Sequence, residues 1–334
     1  MRQTIMATVL CILSCFDLNA QSFEFRGLTM VAPPRKIDIE PIHRMRQTNA
    51  NWVALVPYAF QRMTESNIKY NLNGQWWGEN VEGIKSSIEL AHRGGMHVMV
   101  KPQIYVRGAW TGDIDYKTDA EWQTWEKDYS AYILAYAKVA QEGGAELFCM
   151  GTELKTPIKK RPEYFQQLIK EVRKIYKGKI TYAANWDDYQ MTKFWQDLDY
   201  IGVNAYHPLT ESPTPSKHEL SKEWKSYMAK MARFSRKMDR KILFTEFGYL
   251  SVDGCAWKPW EMQDNLKVHN LNEDAQAVAF DALFECFARQ SWWAGGFIWK
   301  WFPNKMGHEG NLAKDFSPQD KKAEAIVEQW YCRQ

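Results

Sequence analysis

The 334-residue sequence predicts a single-domain α/β protein, a (β/α)8 TIM barrel. Three observations lead there. Eight short apolar runs alternate with stretches of helical periodicity. The runs are near-continuous rather than alternating, as strands covered on both faces are. Connections from helix to strand are tight while those from strand to helix are long, so one face of the barrel is elaborated.

The chain opens on what reads as an export signal at residues 1–20. Arg2 gives a positive start, Ile5–Phe16 is apolar but too short to span a bilayer, and Leu18-Asn19-Ala20 ends in a small residue before Gln21. Ile12-Leu13-Ser14-Cys15 also resembles a loose lipoprotein box. The expected location is therefore exported: periplasmic, secreted, or at the cell surface as a lipoprotein. Residues 21–334 make the barrel.

Its strands are expected at Phe23–Val31, Asn51–Pro57, Met96–Pro102, Ala145–Thr152, Lys179–Trp186, Asp199–Tyr206, Lys241–Glu246 and Ala294–Trp301. Apolar residues at spacings of three and four predict helices between them. Trp122, Trp125, Tyr129, Tyr132, Tyr136 and Ala140 form one such face; Phe165, Leu168, Ile169, Val172 and Tyr176 form another; Ala277, Phe280, Phe284 and Phe287 a third. Pro162 and Asp274 mark first turns, and Gly94-Gly95, Gly143-Gly144 and Gly178 mark stops. The long loops are 58–80, 103–118, 207–216, 248–272 and 302–317.

Composition narrows the function. Lys plus Arg number 43 against 40 Asp plus Glu, which leaves no basic footprint for nucleic acid. No segment after the signal has membrane-spanning length, and a monomer is expected. Sixteen Trp are many for this length, and flat sugar faces stack well on such rings. Beyond the signal, Cys149, Cys255, Cys286 and Cys332 show no metal-like spacing; a Cys286–Cys332 bridge is compatible with export. No HExxH or paired-His spacing occurs, so no metal is expected, and no cofactor is implied.

Glu153 closes the fourth run and Glu246 the seventh. A carboxylate at the mouth of a buried strand is costly without a partner. In a barrel these two strands lie nearly opposite, so both side chains reach the functional face. Two facing carboxylates are what glycosidic chemistry requires. Tyr206 ends the sixth run and is placed to donate to Glu246. Asn185 and Trp186 end the fifth, offering an amide and a stacking ring. Lys101 and Gln103 follow the third and are candidates for sugar hydroxyls; Lys101 is equally a candidate ion-pair partner for a carboxylate. His207 is expected to line the cleft. Trp76, Trp77, Trp110 and Trp257 lie in the long loops, as walls for flanking sugars or as loop anchors. Asp187 and Asp188 read as the cap of a following helix or as helper carboxylates.

Six stretches, in order, resemble glycoside hydrolase family 113, the β-mannanases of the clan of retaining barrel glycosidases. They are Phe25-Arg26-Gly27, Gly151-Thr152-Glu153-Leu154, Thr181 to Trp186, Asp199 to Tyr206, Thr245-Glu246-Phe247-Gly248-Tyr249, and Gly295-Gly296-Phe297-Ile298-Trp299. The resemblance implies that Glu153 is the acid/base and Glu246 the nucleophile of a retaining endo-β-1,4-mannanase. It also implies that Trp299 is the platform under the reacting sugar. Many clan members carry Asn before the acid/base, where this chain has Thr152; the contact to the sugar 2-hydroxyl would then come from Asn185 or Asn204. The expected partner is a β-linked oligo- or polysaccharide. Alternatives are a different β-glycan (glucomannan, xylan, β-glucan) or a non-catalytic carbohydrate-binding barrel.

Overall fold

A computed structural model describes residues 23–263, 265–304 and 312–332. The export-signal reading at 1–20 lies outside the described residues. Eight parallel strands close a barrel: β1 (Phe25–Met30), β2 (Trp52–Leu55), β3 (His97–Val100), β4 (Leu147–Thr152), β5 (Lys179–Asn185), β6 (Ile201–Asn204), β7 (Ile242–Phe247) and β8 (Trp293–Trp301). Neighbours in the chain are neighbours in the sheet, and β8 pairs with β1 to complete the ring. Each strand falls where an apolar run predicts it, because burial on both faces demands such runs.

The outer layer holds α1 (Glu40–Gln47), α2 (Val81–Arg93), α3 (Asp119–Gly143), α5 (Pro162–Ile175), α6 (Lys217–Met238), α8 (Glu273–Phe287) and α9 (Lys322–Cys332), while the short α4 (Lys155–Lys160) and α7 (Pro259–Gln263) lie in the loops that follow strands. Thr118 opens α3 with a capping box, its hydroxyl accepting from Glu121 N while the Glu121 carboxylate accepts from Thr118 N. The same helix stops at Gly144, whose φ of 74° is left-handed and suits a residue without Cβ. Asn80, Ser216 and Asn272 cap α2, α6 and α8.

Two features depart from the expected alternation. Between β5 and β6 there is no α-helix, only two short 3-10 turns, Tyr189–Met191 and Trp195–Asp197. Buried Phe194 and Trp195 cover the sheet there, packing on Phe165 and Tyr182. The loops after β2 and β3 are not irregular throughout. Tyr58–Gln61, Lys69–Tyr70 and Gln103–Val106 form a small three-stranded sheet above the barrel. The Tyr132 hydroxyl on α3 ties it down by donating to the carbonyls of Pro57 (2.6 Å) and Gln103 (3.0 Å).

Inside the ring the floor is aromatic. Phe25 packs on Trp52, Tyr200 and Phe297 with centroids 4.6, 5.2 and 6.0 Å apart. Met99, Cys149, Ala183 and Leu243 belong to the same interior cluster. Toward the strand C-termini the interior turns polar, with Lys101, Asn204, Thr245 and Glu246 all buried. No disulfide joins Cys286 to Cys332. Among the described residues no helix is long and apolar enough to cross a membrane.

Candidate active site

Both glutamates sit just past an irregularity in their strands. The pairing of β4 with β5 shifts between Cys149 and Thr152, and that of β7 with β6 shifts between Phe244 and Glu246. Such bulges at a barrel rim re-aim side chains. Glu153 also has φ +56°, a left-handed conformation that a non-glycine residue holds at a cost on the order of 1–3 kcal/mol. Its backbone stays tied to the sheet, Glu153 N donating to Ala183 O at 2.8 Å. The result is two carboxylates in one cleft of about 1000 Å³ at the C-terminal face of the barrel.

Their surroundings differ. Buried Glu246 receives three donors. Lys101 Nζ and Gln103 Nε2 (2.7 Å) meet Oε1, and Tyr206 OH meets Oε2 at 3.1 Å. Burial first, then Glu246, pushes the Tyr206 phenol well above its ordinary pKa, so it remains a neutral donor. Glu153 receives two donors, Asn204 Nδ2 at 3.0 Å on Oε1 and Trp110 Nε1 at 2.9 Å on Oε2. Those bonds lower its pKa, but burial and the neighbouring Glu246 charge outweigh them, and the carboxyl is held above its usual range. One carboxyl is thus held above its ordinary range, while the other sits against an ammonium, an amide and a phenol.

Asn204 links the two. It pairs with Glu246 in the β6–β7 register and donates to Glu153, while Thr245 Oγ1 donates to its carbonyl at 2.9 Å and fixes which way the amide faces. With no exposed surface and both amide atoms engaged, Asn204 orients Glu153 rather than facing a sugar. Asn185 is half-buried and lines the cleft. Trp186, Trp299 and Gln103 also line the cleft. Lys101 is 0 % exposed, so of its two readings the ion pair is the one the geometry forms.

His207 departs from expectation. It is buried behind Trp186, with ring centroids of Trp186, Trp224 and Tyr227 at 5.5, 5.0 and 4.6 Å, and it does not line the main cleft. Burial pushes its pKa down to about 3 from 6.5. Below pH 6.5 the unfolded chain binds a proton that the folded chain refuses. Its stability contribution is therefore complete above about pH 6.5 and lost as pH falls toward 3, by about 1.4 kcal/mol for each pH unit within that window. His207→Phe is expected to flatten the fall of Tm between pH 6 and pH 4; an unchanged slope would refute it.

Trp77 and Trp257 also lie outside the cleft. Trp77 starts the short turn Trp77–Glu79 and is anchored through its backbone to Pro34 O, and Trp257 lies under Lys258. Trp260, in the same loop as Trp257, lines the cleft instead, 41 % exposed and near-parallel to Trp186. Lys155 lines it too, paired with Asp187 at 3.0 Å. Nothing in the spacing separates Trp260 from Trp257; Lys155, two residues past Glu153, was the more readable of the two. Asp188 makes no side-chain cap bond to the turn it precedes; its carboxylate accepts from Asn185 N at 2.9 Å, and burial lifts its pKa to about 7.

Known proteins share this framework. A β-1,4-mannanase of glycoside hydrolase family 113, solved as a complex, is 23% identical with a TM-score of 0.79, covering 93% of this chain and 99% of its own. The family 113 β-mannanase AaManA from Alicyclobacillus acidocaldarius, in complex with ManMIm, is 26% identical with a TM-score of 0.80, covering 95% and 99%. A Ruminococcus gnavus β-glucuronidase shares only the fold, at 16% identity and a TM-score of 0.61, over 93% of this chain and 50% of its own. No curated protein matches the chain. The sequence model of Glycoside Hydrolase Family 113 matches residues 36–321, a span that runs through both glutamate-bearing strands. The chain is a glycoside hydrolase, and it belongs to family 113.

Proposed function

We propose that the protein is a retaining endo-β-1,4-mannanase, with Glu153 as acid/base and Glu246 as nucleophile. The observation that carries this is the asymmetry of the carboxylates. Glu246 is wrapped by Lys101, Gln103 and Tyr206, which favour an anion. Burial first, and then the Glu246 charge, push the Glu153 carboxyl above its ordinary range. The two family 113 relatives, both β-mannanases, favour mannan as the polymer.

In the first step Glu246 attacks the anomeric carbon while Glu153 gives its proton to the glycosidic oxygen. The leaving chain departs as an alcohol and a covalent glycosyl–enzyme forms. Esterified Glu246 no longer carries charge, so the repulsion that adds to burial in raising the Glu153 pKa is removed. Glu153, now ionised, takes a proton from water, the hydroxide adds at the anomeric carbon, and Glu246 is released with the β configuration restored. Trp299 and Trp186 supply faces for sugar rings, and Asn185 an amide for a hydroxyl.

The test is hydrolysis of mannohexaose and β-mannan beside glucomannan, xylan and β-glucan, with proton NMR of the first anomer released. Mannan cleavage that yields the β-anomer first supports the reading. The α-anomer first, or cleavage confined to another glycan, overturns the mechanism or the substrate respectively.

A further inference from the structure

Trp110 stands on the loop after Gln103–Val106, and three contacts fix its ring. Its Nε1 donates to Glu153 Oε2 at 2.9 Å. The benzene half lies against Gly112, where an added Cβ would come within 2.3 Å of the ring. Lys155 Nζ sits 5.9 Å from the ring centroid and is itself held by Asp187. Farther along, Lys160 pins the loop through both oxygens of Asp115, at 2.6 and 2.7 Å. A ring clamped in this way is poorly suited to be a loose wall for sugars.

We propose that Trp110 is a positioning residue that acts through Glu153: its indole N–H, set by Gly112 and Lys155, holds one carboxyl oxygen so that the carboxyl presents its acidic O–H to the scissile glycosidic oxygen. Asn204 holds the other oxygen from the opposite side. With both oxygens engaged, the carboxyl plane cannot swing. This rests on Glu153 being the acid/base.

The contact has a second consequence, because a donor to a carboxylate favours its ionised form. Trp110 and Asn204 oppose burial and Glu246 at this carboxyl, with Lys101 a weaker opposing influence. The other charged or titratable groups facing it are Tyr206 from the end of β6, Tyr58 after β2, and Asp188 after β5; Lys155 and Asp187 flank the clamp. None of these changes when the indole nitrogen is removed.

The experiment compares Trp110→Phe, which keeps a ring but deletes the donor, with Gly112→Ala, which keeps Trp110 but displaces it. The pH dependence of kcat/KM on mannohexaose is read for both, and the Glu153 carboxyl is titrated directly by carbon-13 NMR. Trp110→Phe is expected to move the alkaline limb and the Glu153 titration upward by roughly half to one pH unit. A fall in kcat of about ten-fold is expected with it. Gly112→Ala should shift both in the same direction. A lowered kcat with an unmoved limb and titration would mean packing alone and overturns the proposal, as does a wild-type profile in both variants. If Glu153→Gln keeps full activity, the acid/base reading fails instead; the NMR titration still decides whether Trp110 sets that carboxyl.

Discussion

Glu246→Ala is expected to lose β-mannan hydrolysis by about 10,000-fold or more, the scale on which removal of a covalent nucleophile acts. Added azide is expected to restore turnover, and the product should be the α-glycosyl azide. The reason is in the pocket. Truncation empties the space that the carboxylate filled but leaves Lys101, Gln103 and Tyr206 aimed at it. A small anion can lodge against the Lys101 ammonium on the same side of the sugar, attack the anomeric carbon once, and stop, because no ester remains to be hydrolysed. Glu153 still protonates the leaving oxygen, so the first step needs no further help. Glu153→Ala should behave differently, losing about 100- to 10,000-fold on mannan. It should retain a first step on substrates with an acidic leaving group, and with azide it should give the β-glycosyl azide, since attack then falls on the covalent intermediate. NMR of the two azide products checks both roles at once. A β-azide from Glu246→Ala, or undiminished hydrolysis, would sink the nucleophile assignment.

The barrel was legible because its strands must be apolar on both faces, a signal that single residues cannot blur. Glu153 and Glu246 stood out for the opposite reason: each ends such a run with a charge. Partners on strand ends were also readable for Tyr206 and, in one of its two readings, Lys101; Gln103, expected at sugar hydroxyls, instead opens a strand of the small sheet and donates to Glu246. What stayed hidden depends on loop geometry. Trp110 and Trp77 are both loop tryptophans with hydrophobic and polar neighbours, yet one bonds Glu153 and the other lies outside the cleft. His207 follows Tyr206 directly, but successive residues at a strand end face opposite ways, and its ring turns into the layer behind Trp186. Asn204 was readable as a site residue but not as one facing another side chain, because its direction depends on Thr245 across the strand pair. The 3-10 turns between β5 and β6 escaped because buried Phe194 and Trp195 do a helix's covering without a helix's periodicity.

Lys101→Met is expected to lower kcat by about 100- to 1,000-fold with little change in KM, and to destabilise the fold by about 3 kcal/mol. Lys101 has no exposed surface, so it makes no contact with a sugar, and its loss should not weaken binding. Its worth lies in the countercharge. Glu246 is buried, and without the ammonium the donors left to it among the described residues are the neutral Gln103 amide and Tyr206 phenol. A buried charge stripped of its partner is strongly destabilising, whereas a pair replaced together by neutral groups of similar size is often tolerated. The double variant Lys101→Met with Glu246→Gln should therefore recover most of the lost stability while remaining inactive. That recovery separates a lost countercharge from a lost packing contact, since the methionine is the same in both proteins. Thermal unfolding of the wild type, both single variants and the double variant closes the cycle. A raised KM with unchanged kcat in Lys101→Met would instead assign the lysine to sugar hydroxyls. Additive losses in the double variant would mean that the pair is not coupled in the way its burial requires.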